Sequence, residues 1–213
     1  TAGFVIALLG FLDDHGHINS MLRLAVHFLV AIGVVISLGG FSDVTAFNGL
    51  QLGFLANIIA VLFLVWLLNL YNFMDGINGI ASVEAITTVV SMAILYYVLN
   101  STLNSDILWL LAACVFGFLL WNFPKAKIFM GDVGSTTLGF VIMVLALWGE
   151  KQYGVPALLW FIVYSVFLVD TTLTLLRRLL AREPVYQAHR LHAYQRLHQI
   201  GFSHKKVWLM ISG

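Results

Sequence analysis

Four short polar segments in an otherwise apolar chain hold residue types suited to phosphate and a hard cation. They are Leu12-Asp13-Asp14, residues 69–79 (NLYNFMDGING), 129–135 (FMGDVGS) and 189–196 (HRLHAYQR). Asp13 and Asp14 follow an apolar run, at what would be a helix C-terminus. Carboxylates there face the negative end of the helix macrodipole, at a cost of about 0.3–1 kcal/mol each, and two neighbouring acids repel. A cation or a proton-accepting role would give the pair a use; a solvated acidic pair after a helix is the alternative.

In the second segment Asn69, Asn72, Asp75 and Asn78 recur every three residues, with Gly76 and Gly79 between them. On a helical end this spacing aligns polar groups in one row, and the glycines let backbone approach a ligand closely. Asp-Gly and Asn-Gly are also strong turn dipeptides. In the third segment Gly131 and Gly134, at the N-terminus of the helix that follows, could form an anion site. Asp132 would add a hard oxygen ligand for Mg²⁺, and Phe129 could stack on a base. Plain capping by Asp132 or Ser135 is the simpler use of the same residues. In the fourth segment His189, His192 and Arg196 occupy i, i+3 and i+7, one helical face. Such a face suits diphosphate oxygens; a basic helix against anionic lipid is the alternative. A zinc site from His189, His192 and His198 lacks the i+4 spacing and a clear fourth ligand.

These segments need elements to hold them, and composition says which. Of 213 residues 61% are hydrophobic and 10% charged, with mean hydropathy +0.94, where a soluble domain carries about 25% charged residues. Too little polar surface remains for a water-facing globule, so a bilayer is the expected solvent. The net charge of +1 gives no reason to expect nucleic acid. The single Cys114 excludes a disulfide framework and is expected as a small buried apolar residue. The chain opens inside an apolar run without a starting Met and stops as another begins. It is expected to be a piece of a longer membrane protein, one domain over 1–213.

Apolar runs near 1–12, 22–39, 52–70, 80–99, 107–122, 136–149 and 156–176, with a further start at 205–213, predict an all-α polytopic transmembrane bundle of about seven helices. Continuous runs exclude the alternating strands of a membrane barrel. Loops 13–21, 71–79, 123–135 and 177–204 then share one side. Ten of the eleven Lys and Arg residues lie on or beside these loops and only Lys151 on the other side, which makes that side cytoplasmic. Within the helices Asp170, Glu84 and His27 are isolated polar residues, and Asp170 is expected to pair with Arg177.

Together, in this order and topology, the four segments resemble the polyprenyl-phosphate N-acetylhexosamine-1-phosphate transferases, of the glycosyltransferase family 4 type. The family is related to phospho-N-acetylmuramoyl-pentapeptide transferase. The departure of HRLHAYQR from consecutive histidines is similar to the branch initiating O-antigen and other surface glycans. The resemblance implies transfer of a sugar-1-phosphate from a UDP-N-acetylhexosamine to undecaprenyl phosphate, giving a lipid-linked sugar diphosphate and UMP. It implies Mg²⁺, with Mn²⁺ as a substitute, at the cytoplasmic face of a bacterial inner membrane, and a homodimer is a further expectation. It assigns Asp13 as base or orienting group with Asp14 in support, and Asp132 as the Mg²⁺ ligand. It puts Asn72, Asp75, Gly76 and Asn78 at the nucleotide, Asn122 and Phe129 at the uracil, and His189, His192 and Arg196 at the diphosphate or sugar. Rival expectations are a secondary transporter, an intramembrane aspartyl protease built on Asp75 and Asp132, and a structural membrane subunit.

Overall fold

The computed structural model describes residues 1–41, 43–44, 50–99, 102–182, 193–200, 202 and 206. Its elements are α1 (Ala2–Gly16), α2 (Ser20–Ser37), β1 (Asp43–Val44), β2 (Leu50–Gln51), α3 (Phe54–Met74), α4 (Ile80–Val98), α5 (Thr102–Asn122), α6 (Gly131–Tyr153), α7 (Ala157–Val163), α8 (Ser165–Leu180) and α9 (Ala193–Gln199). The two short strands form one antiparallel pair, Asp43 opposite Gln51 and Val44 opposite Leu50. The site is positioned by helices and by the turns that join them. Helices satisfy their backbone hydrogen bonds internally, as an apolar solvent requires. Helices α2 to α6 are each long and apolar enough to cross a membrane.

The expected span over 156–176 needs correction: it is two helices, α7 and α8, meeting at an 83° bend. Counted as one broken span, they make a sixth crossing. Other helices differ from expectation mainly at their ends. α1 runs on through Asp13 and Asp14, α3 through Asn72, and α6 begins early enough to put Asp132 in its first turn. Capping and packing interactions, not hydropathy, set those ends.

The core sits between α3 and α6, and two glycines fix how closely helices approach it. A Cβ on Gly139 of α6 would lie 2.7 Å from Tyr71 Cβ and 3.1 Å from the Leu67 carbonyl oxygen of α3. A Cβ on Gly10 of α1 would lie 2.7 Å from backbone atoms of Asp132 and Val133. Small residues allow such backbone-to-backbone packing, which drives helix association where lipid supplies no hydrophobic force. Gly10 precedes Asp13 by one turn, so the contact delivers both acids of α1 to the start of α6. Tyr71 is fully buried; its hydroxyl donates to the Ala81 carbonyl and ties α3 to α4. Its ring stacks on Tyr164 at 5.8 Å, bringing the bent α7–α8 pair against α3.

Outward faces stay apolar, with Leu29, Ile36, Leu110 and Leu120 exposed on α2 and α5. Such surfaces belong against lipid, and the chain is an integral membrane protein. Cys114, expected as buried, is on the exposed face of α5, where a small apolar residue is equally at home in lipid. Away from the four polar segments, Lys151 Nζ donates to the Gly40 carbonyl (2.6 Å), and Asn57 pairs with the backbone N–H and carbonyl of Phe41.

Gly10→Ala should force α1 off α6, because the obstructing atoms are backbone; overpacking of this kind costs about 1–3 kcal/mol. A methyl group added at Gly117 of α5 would meet nothing within 4 Å, so Gly117→Ala should be neutral or slightly stabilising. Thermal denaturation of the full-length protein in detergent checks both; equal melting temperatures for the two variants would contradict the packing account.

Candidate active site

Helix α1 ends at Gly16, and His17 closes it in a left-handed conformation, its N–H donating to the Asp13 carbonyl. Asn19 then caps α2 by accepting the Met21 N–H (2.8 Å). The tight connection turns α2 back alongside α1 and points Arg23 at the acids. Asp13 Oδ1 accepts the Ile18 N–H at 2.7 Å, and its Oδ2 accepts Arg23 Nη1. The same Nη1 donates to Asp132 Oδ2 at 2.8 Å. Asn72 of α3 donates from Nδ2 to Asp132 Oδ1 (2.7 Å) and to Ser135 Oγ (3.0 Å). Four helices thus meet at one carboxylate.

Asp14 does something else. Its two oxygens accept the backbone N–H groups of Asp132 (2.8 Å) and Val133 (3.1 Å). It therefore caps α6 from a different helix and faces the positive end of that helix dipole. This revises the expectation of a phosphate on the N-terminus of α6, because the chain's own carboxylate takes those donors. Gly131, at φ +62°, leaves room for it: a Cβ there would fall 2.6 Å from Asp14 Oδ2.

Beside Asp132 opens a pocket of about 250 Å³. Asn72, Asp75, Gly76 and Asn78 from the second segment, Phe129 and Asp132 from the third, and Asn122, expected from the family resemblance, all line it. They do so in different ways. The expected row of polar groups is broken where α3 ends at Met74. Asn69 turns to the Val65 carbonyl (2.7 Å) and to His27 (3.4 Å), while Asp75 and Asn78 stand in the turn to α4. Asn122 is a buried strut: its Oδ1 accepts the Gly79 N–H (2.7 Å) and its Nδ2 donates to the Ile128 carbonyl (2.9 Å). Asn78 Nδ2 reaches the Pro124 carbonyl at 3.3 Å. Phe129 is 80% exposed at the rim.

Arg196 of α9 lies elsewhere, in a second, mostly apolar groove of about 740 Å³ between α8 and α9 with Asp170 and Arg177. Asp170, expected as a partner of Arg177, accepts the Ala193 N–H (2.9 Å) and the Thr174 hydroxyl (3.4 Å). His189 and His192 lie outside the described residues, as do Arg190 and nearly all of 205–213. Sequence reading missed Arg23 as a site residue and counted it only toward topology. A lone arginine one turn into an apolar helix, just after an acidic pair, was the available signal.

Burial pushes the Asp13 carboxyl up, but hydrogen bonding with Asp132 and the Ile18 N–H, and the Arg23 charge, outweigh it and hold it below the usual carboxylate value. Asp13 is thus ionised at neutral pH. Asp75 goes the other way, pushed up to about 7 by burial and then by the Asp132 charge. Among the described residues no group of three or more His, Cys, Asp or Glu side chains is arranged as a metal cage. Mg²⁺ seldom uses one: it takes one or two carboxylates and completes its shell with water and substrate phosphates. Asp13 and Asp132 offer hard oxygens that already share one cationic nitrogen, so the donor set fits that ion.

The Asp75 carboxyl titrates at 3.8 when unperturbed and about 7 in the fold. Between these values the folded protein keeps a proton that the unfolded chain has lost. Stability from the protonated group is fully present below the lower value and is lost as pH rises through the upper one. Without divalent cations the full-length protein should melt at a lower temperature near about pH 8 than near about pH 5.5. Asp75→Asn should shrink that difference by several degrees; an undiminished difference would assign it to another group.

Residues 1–150 match the profile of Glycosyl transferase family 4. The chain is 30% identical to a Bacillus subtilis (strain 168) protein named probable undecaprenyl-phosphate N-acetylglucosaminyl 1-phosphate transferase, over 98% of this chain and 60% of that protein. It is also 30% identical to a Mycobacterium leprae (strain TN) decaprenyl-phosphate N-acetylglucosaminephosphotransferase, over 99% and 59% respectively. A phospho-N-acetylmuramoyl-pentapeptide-transferase of Wolbachia pipientis wMel is 28% identical over 78% of this chain and 54% of its own length. The chain therefore spans about three-fifths of the length of the Bacillus subtilis and Mycobacterium leprae relatives. Because the family profile covers Asp13, Asp14, Arg23, Asn72, Asp75 and Asp132 along with more than half of the sequence, the chain belongs to glycosyl transferase family 4.

Proposed function

We propose that the protein transfers N-acetylhexosamine-1-phosphate from a UDP-sugar to undecaprenyl phosphate, releasing UMP, at the cytoplasmic face of a bacterial inner membrane. The product would begin a surface glycan of the O-antigen kind. The observation that carries this reading is Asp132: it stands at the mouth of the pocket and joins the acids of α1 to the amide of α3. The names of the relatives support the substrate classes.

In this reading the lipid phosphate enters at headgroup level beside Asp13, and the nucleotide lies in the pocket lined by Asn72, Asp75, Gly76 and Asn78. Phe129 stacks on the uracil at the rim, and Asn122 holds the turn that shapes the floor. His189, His192 and Arg196 take the diphosphate or sugar. An oxygen of the lipid phosphate attacks the β-phosphorus of the UDP-sugar, and the bond from that phosphorus to the bridging oxygen breaks, leaving UMP. Asp13 orients the attacking phosphate and accepts its proton when it arrives protonated. Mg²⁺ held by Asp132 would offset repulsion between the two anions and stabilise charge on the transferred phosphoryl group. Mn²⁺ would serve the same donor set. Asp14 keeps Asp132 in place through the first turn of α6.

A transporter would place its ionisable groups near the bilayer midplane on broken helices, whereas here Asp13, Asp75 and Asp132 gather at helix ends. UMP release by the full-length protein in detergent, with undecaprenyl phosphate, Mg²⁺ and a panel of UDP-N-acetylhexosamines, tests the proposal. Release should require lipid and metal together and fall about 10²–10³-fold in Asp132→Ala. Release that ignores the lipid, or survives the substitution, would count against it.

A further inference from the structure

Arg23 is bound in an unusual way. Arginine commonly meets a carboxylate as a fork, two parallel N–H bonds to two oxygens. Here a single nitrogen, Nη1, serves oxygens of two carboxylates on two different helices, Asp13 of α1 and Asp132 of α6. That nitrogen stands between two hard carboxyl oxygens, the position a divalent cation takes. The Arg23 side chain is 25% exposed, so it has a way out. Asn72 holds the other Asp132 oxygen, Oδ1, and does not compete for the shared position.

Arg23 supplies the charge between the two acids, but the helices that carry them are braced without it. Asp14 ties α1 to α6 through the Asp132 and Val133 N–H groups, and Gly10 packs directly on the same backbone. Asp13 is fixed separately by the Ile18 N–H. A guanidinium that bridges an already braced pair is exchangeable in a way that a structural salt bridge is not.

We infer that Arg23 is an exchangeable counter-cation: it and a divalent cation compete for the Asp13 and Asp132 oxygens, and cation binding turns the guanidinium toward an incoming phosphate. The inference rests on the reading of Asp132 as a cation ligand. It gives the site an order. While Arg23 neutralises the acids, it is not available to an anion; once a cation takes its place, the same guanidinium offers forked donors to phosphate oxygens.

The test is Mn²⁺ binding to the full-length protein in detergent without substrates, followed by electron paramagnetic resonance. Arg23→Gln should bind Mn²⁺ about tenfold more tightly than wild type or better, because a competing charge is gone, and Asp132→Asn should bind it far more weakly. Arg23→Gln binding no tighter than wild type, with Asp132→Asn still defective, overturns the exchange and leaves Asp132 as a ligand. Unaltered binding in Asp132→Asn overturns the ligand reading and the exchange with it. A second measurement needs no variant: phenylglyoxal labelling of Arg23 in wild-type protein, read by mass spectrometry, should rise when Mn²⁺ is added. Labelling that stays constant overturns the proposal even if Arg23→Gln does not fold.

Discussion

Two carboxylates from different helices do not approach each other at the edge of a low-dielectric medium unless positive charge lies between them. Asp13 and Asp132 do approach, and Arg23 is the charge. Much of the local architecture follows from holding that triplet. The short capped connection after α1 aims Arg23 backward, Gly10 lets α1 touch the start of α6, and Asn72 completes the shell of Asp132 from α3. Because hydrocarbon leaves helices no freedom to expose backbone, polar chemistry is confined to their ends. The alternation of crossings then brings the ends carrying Asp13, Asn72 and Asp132 to one side.

Asp14 shows how one motif divides its labour. Adjacent acids on a helix point in different directions, about 100° apart. Asp13 therefore faces Arg23 while Asp14 reaches the N-terminus of α6. One acid is chemistry in the proposed reaction, and the other is the brace that makes its geometry possible. The dipole penalty of an acidic pair at the end of α1 is offset by the opposite end of α6, which receives the second acid. The pocket next door follows the same plan. Asn122 and Gly79 fix the turn, and Asp75, driven toward neutrality by burial and by Asp132, marks where negative charge is crowded.

Much of this was legible in the sequence, for physical reasons that can be named. Apolar runs located the crossings, since hydropathy is what a bilayer selects. Glycine- and asparagine-rich segments located the pocket, since close backbone approach and carbonyl-bearing side chains are what the proposed nucleotide site requires. Periodicity misled where a helix stopped: Asn69 and Asn72 ride on α3, but Asp75 and Asn78 do not, because the chain leaves the helix at Met74. The run over 156–176 hid a bend, since hydropathy is blind to direction. Arg23 escaped notice because its importance is tertiary: nothing within α2 says that its partners are Asp13 and Asp132. Asn122, expected at the uracil, lines the pocket, and its amide serves backbone groups of the turn and of Ile128.

The central claim is that the convergence of Asp13, Arg23, Asn72 and Asp132 is the reaction centre. Its most direct test is a crystal structure of the full-length protein with Mn²⁺ and UDP, the metal located by anomalous scattering. The account predicts a peak within coordination distance of an Asp132 oxygen, with the diphosphate on the side of Asn72 and Asp75. A peak in the groove between α8 and α9, beside Asp170, would contradict it.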